Sequence, residues 1–142
     1  MQNYDAALMK HFGGVPFGAN SDDVSKVFGP AEEVENLDSG DGTTAPVWHY
    51  WSKGFSLFFD ADNGSKLCCV EADNSVLLEM LGKKIFSLNE HEVKDLMKDS
   101  GFKELEEENH EWGEKRVTFD DANVDYYFEK GIMVSINFGV MF

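Results

Sequence analysis

The residues best suited to hold a metal ion lie in one acidic segment, Asp60-Ala-Asp-Asn-Gly64, which is followed by Glu71. Carboxylates at this spacing are typical of a calcium loop, which also needs a ligand at its fifth place and a glycine at its sixth. Here Gly64 and Ser65 occupy those two places. Because Asp-Asn-Gly is also typical of a tight turn between strands, we expect a hairpin and no calcium site.

Histidine and cysteine offer no other metal site in the sequence. The four histidines are His11, His49, His91 and His110. They lie in different segments, without the spacing of metal ligands. Cys68 and Cys69 are adjacent, and neighbours on a strand point to opposite faces. We therefore expect neither a zinc site nor a disulfide between them, and no cofactor.

The sequence also lacks the motifs of the common catalytic nucleophiles. Neither a Gly-x-Ser-x-Gly elbow nor a glycine-rich phosphate loop is present. The paired carboxylates Asp22-Asp23 and Asp120-Asp121 are sequence neighbours, typical of caps and turns, whereas a glycosidase pair must converge across a cleft. The sequence predicts no catalytic residue, and we expect a protein that is not an enzyme.

Composition narrows the class of partner. The chain has 142 residues, with 12 Lys and Arg against 27 Asp and Glu, giving a net charge of −15. Such a surface disfavours nucleic acid and anionic membranes, which need a basic patch, and favours a basic protein. Hydrophobic residues make up 42% of the chain, enough for a core. The first residues lack the features of a secretory signal, so we expect a cytoplasmic location.

The sequence contains an internal repeat, which predicts the order of the helices and strands that would position a site. At an offset of 69, Asn20–Phe28 aligns with Asn89–Met97, and Phe55–Asp60 aligns with Val124–Glu129. The same offset aligns Trp48-His-Tyr50 with Val117-Thr-Phe119. Unless this match is coincidental, it predicts a first repeat over residues 1–72 and a second over 73–142, packed as one compact domain.

Each repeat has the signals of one helix. Asn20 and Asn89 are expected N-caps, and Gly29-Pro30 and Ser100-Gly101 are expected stops. The apolar helix faces are expected at Val24, Val27 and Phe28 and at Val93, Leu96 and Met97. Residues 6–12 and 76–81 are predicted to be helical, with strands as the alternative. The predicted fold class is α+β, with two tandem repeats, each a helix followed by an antiparallel sheet of three to four strands.

Alternation along the strands separates the expected core face from the open face. The core face is predicted to carry Trp48, Tyr50, Phe55, Leu57, Phe59, Leu67 and Cys69, matched by Val117, Phe119, Val124, Tyr126, Phe128, Val134 and Ile136. The open face is predicted to carry His49, Trp51, Ser56, Phe58 and Cys68, matched by Thr118, Asp120, Asp125, Tyr127 and Ser135. A mixed second face is typical of a sheet with one side in solvent.

The aromatic residues of the open face are the candidate partner-binding site. His49, Trp51, Phe58 and Tyr127 are large rings set among polar residues, a composition enriched at protein-binding surfaces. The alternative is that the two units pack these faces together or that a loop covers them. The acidic run Glu104–Glu111 is expected to be a solvated helix end or loop, or else a patch that attracts a basic partner.

The order of these motifs resembles a known fold. The segment Phe17–Pro30, the strand Trp48-His-Tyr50 and the hairpin at Phe59-Asp60 resemble the β-lactamase inhibitor protein-like fold, a pattern that the small outer-membrane assembly lipoprotein domain shares. The resemblance implies a helix-backed antiparallel sheet whose open face binds another protein, through Trp51, Phe58 and Tyr127 in this chain. Small acidic proteins of this size are also similar to bacterial immunity proteins, which neutralise a toxin by binding it.

Three functions remain open from the sequence. The leading hypothesis is a non-enzymatic acidic protein-binding module, inhibitor-like or immunity-like, that uses its open aromatic sheet face. The second is a small-molecule binder or enzyme with a pocket between the two repeats. The third is a self-associating structural protein, a homodimer through its aromatic faces.

Overall fold

The computed structural model describes residues 3–38, 44–60 and 65–140. The elements up to residue 73 are β1 (Asn3–Ala7), β2 (His11–Phe12), β3 (Val15–Pro16), α1 (Ser21–Phe28), β4 (Glu33–Asp38), β5 (Thr44–Tyr50), β6 (Phe55–Asp60) and β7 (Lys66–Asp73). They are followed by β8 (Leu77–Met80), β9 (Lys83–Lys84), α2 (Glu90–Asp99), β10 (Leu105–Asn109), β11 (Glu114–Phe119), β12 (Val124–Glu129) and β13 (Ile132–Gly139). Short 3-10 helices occupy Trp51–Lys53, Ile85–Ser87 and Asp120–Ala122.

The strands form two sheets. The large sheet has eight strands in the order β10-β11-β12-β13-β7-β6-β5-β4, and all its neighbours are antiparallel. The small sheet has five strands in the order β3-β2-β1-β8-β9. In it β1 runs parallel to β8, with Asn3 opposite Leu77 and Ala6 opposite Met80.

The predicted fold class, two repeats each with its own helix and its own sheet of three to four strands, is wrong. The described part of the chain is mostly β, with two sheets of five and eight strands and only two α-helices. β7 and β13 pair directly, from Ser135 opposite Asp73 to Gly139 opposite Cys69. Separate sheets would leave both of these strand edges with unpaired backbone groups. Joining them satisfies those groups and makes one continuous sheet.

The two apolar segments predicted as helices form strands of the small sheet. In β1, Tyr4 and Ala6 are buried and Asp5 is exposed, and Leu78 and Met80 repeat this alternation in β8. A period of two suits a strand with one covered face. The backbone of Met9 has φ 62°, which is incompatible with a right-handed helix continuing through residues 6–12.

Both helices begin where the sequence predicts. The side chain of Asn20 accepts a hydrogen bond from the backbone N of Asp23 at 2.9 Å. Asn89 accepts one from the backbone N of Glu92 at 2.9 Å, and the Glu92 carboxylate accepts one from the backbone N of Asn89, which completes a capping box. The N-cap predictions are therefore confirmed. Val27 was expected on the buried face but is exposed.

An ion-pair cluster joins α2 to the strands β10 and β11. Lys94 and Lys115 contact Glu90 at 2.7 and 2.8 Å, and Lys115 contacts Glu107 at 2.9 Å. Lys94 also pairs with Glu107. Hydrogen bonds from Lys94 and Lys115 hold the pKa of Glu107 below its ordinary value of 4.5.

Glu107→Gln is expected to reduce the free energy of unfolding at pH 7 by less than about 1 kcal/mol, because the pair is partly exposed and screened. A lowered folded-state pKa stabilises the protein above the ordinary pKa and loses this effect as pH falls through the lowered value. The difference from wild type in urea unfolding should therefore shrink from pH 7 to pH 3. Glu106→Gln, on the other face of β10, should show no such change. A pH-independent difference for Glu107→Gln would contradict the assignment.

The core lies between one face of the large sheet and a layer formed by the helices and the small sheet. Phe12, from the small sheet, contacts Phe28 of α1 and Phe138 of β13, with ring centroids 5.6 and 6.0 Å apart. The hydroxyl of Tyr126 in β12 donates to the Met97 sulfur of α2 at 3.2 Å. One side of the large sheet is therefore covered, and the other faces away from both helices.

Two β-bulges correct the predicted faces of β7 and β13. Phe58 is opposite Cys69 and Phe59 is opposite Leu67, so Cys68 is an extra residue. In the same way, Val134 is an extra residue between Met133 and Ser135. The predictions of Cys69 and Val134 as core-face residues are wrong. Val70, Ala72 and Met133 are buried in the core instead.

A two-residue hairpin turn joins β12 to β13. Glu129 is opposite Ile132, and Lys130 and Gly131 have φ values of 52° and 80°, as a two-residue hairpin turn requires. The hairpin expected at Asp60–Gly64 falls largely on residues 61–64, outside the described residues. The prediction that the acidic run Glu104–Glu111 is a helix end or loop is wrong, because the run contains the exposed edge strand β10; its role as a patch for a basic partner stays a prediction.

Candidate functional site

Three rows of side chains cross the uncovered face of the large sheet, because residues in register on paired antiparallel strands share a face. The central row is Glu33, His49, Ser56, Glu71, Asn137, Asp125, Thr118 and Glu106. The Arg116 row is Asp73, Ser135, Tyr127, Arg116 and Glu108. The Phe58 row is Glu35, Val47, Phe58, Cys69 and Gly139.

Three side chains contact His49 in the part of this face that β4 to β7 form, which we call the first half. Its Nδ1 lies 2.7 Å from the Ser56 hydroxyl and its Nε2 lies 3.0 Å from a carboxylate oxygen of Glu35. The Trp51 ring stacks on it, with centroids 4.1 Å apart and planes 9° apart. The indole N–H of Trp51 donates to Glu33 at 3.0 Å. His49 is 8% exposed and Trp51 is 60% exposed, so a buried imidazole supports an accessible indole.

The Ser56, His49 and Glu35 side chains have the order of a hydrolytic relay, but the surrounding backbone does not suit one. Acyl transfer needs free N–H donors aimed at a developing oxyanion. Ser56 lies in β6, whose backbone is paired with β5 on one side and β7 on the other. Its neighbouring N–H groups are used in those ladders. The arrangement therefore fixes the position of Trp51 and does not provide for hydrolysis.

Arg116 is paired with carboxylates in the second half of the face, the part that β10 to β13 form. Its guanidinium donates to Glu108 at 2.8 Å and to the hydroxyl of Thr118, and lies 3.6 Å from Asp125. The hydrogen bond from Arg116 lowers the pKa of the Glu108 carboxyl. One guanidinium faces two carboxylates in this cluster, so the cluster presents no excess positive charge.

The first half of the face keeps an excess of negative charge. The three rows together hold seven carboxylates and one guanidinium. Within the described residues, no lysine or arginine pairs with the carboxylates of Glu33, Glu35, Glu71 or Asp73. Lys53, nearby in sequence, donates instead to the carbonyl of Phe28. A cationic group approaching this region meets acceptors that have no lysine or arginine partner.

A cavity of about 310 Å³ opens beside Trp51. Its lining residues are His49, Trp51, Gly54, Phe55, Ser56, Glu71, Asp73 and Ser135. We call it the Trp51 cavity. One of its walls is formed by Gly54, whose φ is 84° and where an added Cβ would collide with Ser75 and lie 2.8 Å from Asp73. Only glycine therefore fits at this position.

A second cavity, of about 320 Å³, lies against the small sheet, with Val76, Leu77, Leu78 and Phe86 among its lining residues. Its lining is largely apolar, and Glu79 and Lys84 supply opposite charges. It belongs to a different part of the surface from the three rows. It is the place where the alternative of a small-molecule binder would have to be tested.

The structure brings two of the four predicted site residues together. His49 and Trp51 form the stacked pair at the Trp51 cavity. Phe58 and Tyr127 lie in the flanking rows, on β6 and β12, with β7 and β13 between them. Both are half-buried. The four residues therefore share a face but do not form one continuous aromatic patch.

The sequence-based choice of site residues did not include the acidic and hydroxyl groups around the stacked pair. They are Glu33, Glu35, Ser56, Glu71, Asp73 and Ser135. The first two alternate with Val34 along the edge strand β4, a period of two that could have indicated a strand with acidic residues on its open side. Glu71 and Asp73 gave no local signal, because the bulge at Cys68 decides which face they occupy.

The chain matches no family model, no curated protein and no solved structure. The resemblance to the β-lactamase inhibitor protein-like fold therefore stays an expectation. No helix of the described residues is long and apolar enough to cross a membrane. Within residues 3–38, 44–60 and 65–140, no three His, Cys, Asp or Glu side chains are grouped to hold a metal ion.

Proposed function

We propose that the protein is a non-enzymatic binding module that docks a basic protein on the open face of its large sheet, as inhibitor and immunity proteins do. One observation carries the proposal: an eight-stranded sheet has one face buried under the helices and small sheet, and the other carries unneutralised carboxylates around the exposed Trp51. Acidic surfaces attract basic partners over long range. Tryptophan is among the residues that most often dominate interface energies.

The Trp51 environment supports this function in a second way. Binding is weakened when a flexible side chain loses conformational entropy at the interface. Trp51 is already fixed by its stack on His49 and its hydrogen bond to Glu33. We propose that the interaction takes place in the cytoplasm, and the free thiols of Cys68 and Cys69 are compatible with such a reducing compartment.

The test is capture of partners from a lysate of the source organism, at low and at high salt, by wild type and by Trp51→Ala. We expect a basic protein to bind wild type at low salt and to be weakened by high salt. Trp51→Ala should weaken this binding by at least about tenfold, since loss of an interface tryptophan costs about 2 kcal/mol.

Trp112→Ala is the matched control. Trp112 is also exposed and also stacks on a histidine, with its ring centroid 4.4 Å from that of His110, but it lies outside the three rows. Binding that is lost equally in both variants, or no partner at either salt concentration, would count against the proposal. A dimer of the pure protein that dissociates on Trp51→Ala would favour the self-associating alternative instead.

A further inference from the structure

The Trp51 cavity has the chemical features of a socket for one cationic side chain. Glu71 and Asp73 contribute carboxylates, and Ser56 and Ser135 contribute hydroxyls. The Glu71 side chain has no hydrogen bond or ion pair to any described residue. Asp73 accepts bonds from the backbone N and the hydroxyl of Ser75 through one carboxylate oxygen, Oδ1. Both carboxylates can therefore still accept hydrogen bonds from a ligand.

The aromatic wall of the cavity favours a cation as well. Trp51 uses one ring face against His49, and the residue is 60% exposed. A cation over an indole is attracted by the negative face of the ring, and tryptophan is the best residue for this contact. Because His49 is held by Ser56 and Glu35, the indole is positioned before any ligand arrives.

Size and charge exclude the other classes of occupant. A volume of about 310 Å³ lies at the lower end of the range of about 300–1,000 Å³ for ligand pockets, so it suits one side chain and not a folded element. The carboxylates repel anions. An apolar group would displace water from the exposed carboxylates of Glu71 and Asp73 without offering them a hydrogen bond, which is unfavourable.

From these features we infer that the Trp51 cavity receives one arginine side chain of the partner. Arginine suits it better than lysine, because a planar guanidinium stacks on indole and presents five N–H donors to neighbouring carboxylates. The inference rests on the proposed protein-binding function and adds the chemistry of the residue that anchors the partner. The arginine is then one anchoring contact within a wider acidic surface.

The test uses a probe that needs no identified partner, the peptide acetyl-Gly-Arg-Gly-amide, at 150 mM salt. Its binding is followed by NMR at the three tryptophan indole N–H signals of Trp48, Trp51 and Trp112. We expect a saturable shift of the Trp51 signal at millimolar peptide, with Trp112 unmoved. The lysine peptide should bind about threefold more weakly, and the glutamine peptide should give no saturable shift.

Two variants test whether Glu71 is the carboxylate that binds the guanidinium of the peptide. Glu71→Gln should weaken binding of the arginine peptide about fivefold, whereas Glu106→Gln should leave it unchanged, because Glu106 lies in the same central row but on the distant edge strand. No saturable shift at Trp51, equal shifts with the arginine and glutamine peptides, or equal weakening by the two variants would each overturn the inference.

These outcomes separate the inference from the proposed function. If a protein partner binds through Trp51 but the arginine peptide gives no response, the inference of an arginine site is overturned. The proposed protein-binding function is then unaffected. A Trp51 response that meets every expectation above, with no protein partner at any salt concentration, supports the cavity as an arginine site but contradicts a protein as its source.

Discussion

Gly139→Ala is expected to destabilise the protein by about 3 kcal/mol, through a steric clash at the centre of the large sheet. An alanine Cβ at this position would overlap the carbonyl oxygen of Cys68 and lie 2.7 Å from the Cα of Cys69. Both are backbone atoms, fixed by the bulge in β7 and by the hydrogen bond from the backbone N of Val140 to the Cys68 carbonyl at 2.8 Å. The seam between β7 and β13 would have to separate.

Urea unfolding of Gly139→Ala and Gly101→Ala measures this effect against a matched control. Gly101 has φ 94°, but an added Cβ there would meet nothing within 4 Å. Its substitution should cost about 1 kcal/mol from backbone strain alone. If Gly139→Ala is no less stable than Gly101→Ala, the close approach of the two strands at Cys68 is not as the structure has it.

Phe12→Ala is expected to cost about 3–5 kcal/mol, the usual range for removing a buried phenylalanine ring. Phe12 is fully buried at the point where the small sheet meets the rest of the core. Its ring centroid lies 5.4 Å from that of Tyr4, 5.1 Å from that of Phe55 and 6.0 Å from that of Phe138. One side chain thus holds the small sheet against the large one.

Phe12→Leu separates the loss of volume from the loss of apolar character. Leucine keeps an apolar side chain of intermediate size, so the cost should fall below about 2 kcal/mol. Thermal unfolding of the two variants gives the comparison. Similar losses for Phe12→Ala and Phe12→Leu would mean that the aromatic contacts, not the filling of the space, determine the stability here.

The sequence predicts features that depend on nearby residues. Asn20 and Asn89 cap their helices because an Asn side chain reaches the backbone N–H three residues on. The alternation of β6 places Leu57 in the core and Ser56 and Phe58 on the open face, as expected. The turn at Lys130-Gly131 also follows from local conformational preferences.

Features that depend on distant pairing could not be predicted in this way. The direct pairing of β7 with β13 has no local signature, so the single eight-stranded sheet was missed. The extra residue Cys68 reverses the faces that simple alternation assigns beyond it, and Cys69 was misplaced for this reason. Burial raises the pKa of the Cys69 thiol to about 12, which disfavours the nucleophilic thiolate form at neutral pH.

The candidate site likewise combines residues that the local sequence indicates with residues that only strand pairing brings together. His49 and Trp51 are recognisable as aromatic residues at polar positions. Glu35, Ser56 and Glu71 join them only through the register of four strands, β4 to β7. The Trp51 cavity is therefore formed by the register of these strands, and no single segment of the sequence predicts it.

The central seam also determines when the protein can fold during its synthesis. β7 is complete at Asp73, but its partner in the middle of the sheet does not begin until Ile132. Until then a newly made chain presents the edge of β7 to other molecules, and such edges promote association between chains. We therefore expect the ribosome-bound chain to need shielding at β7, and folding to be slow once β13 has emerged, because sheets built from distant strands close slowly.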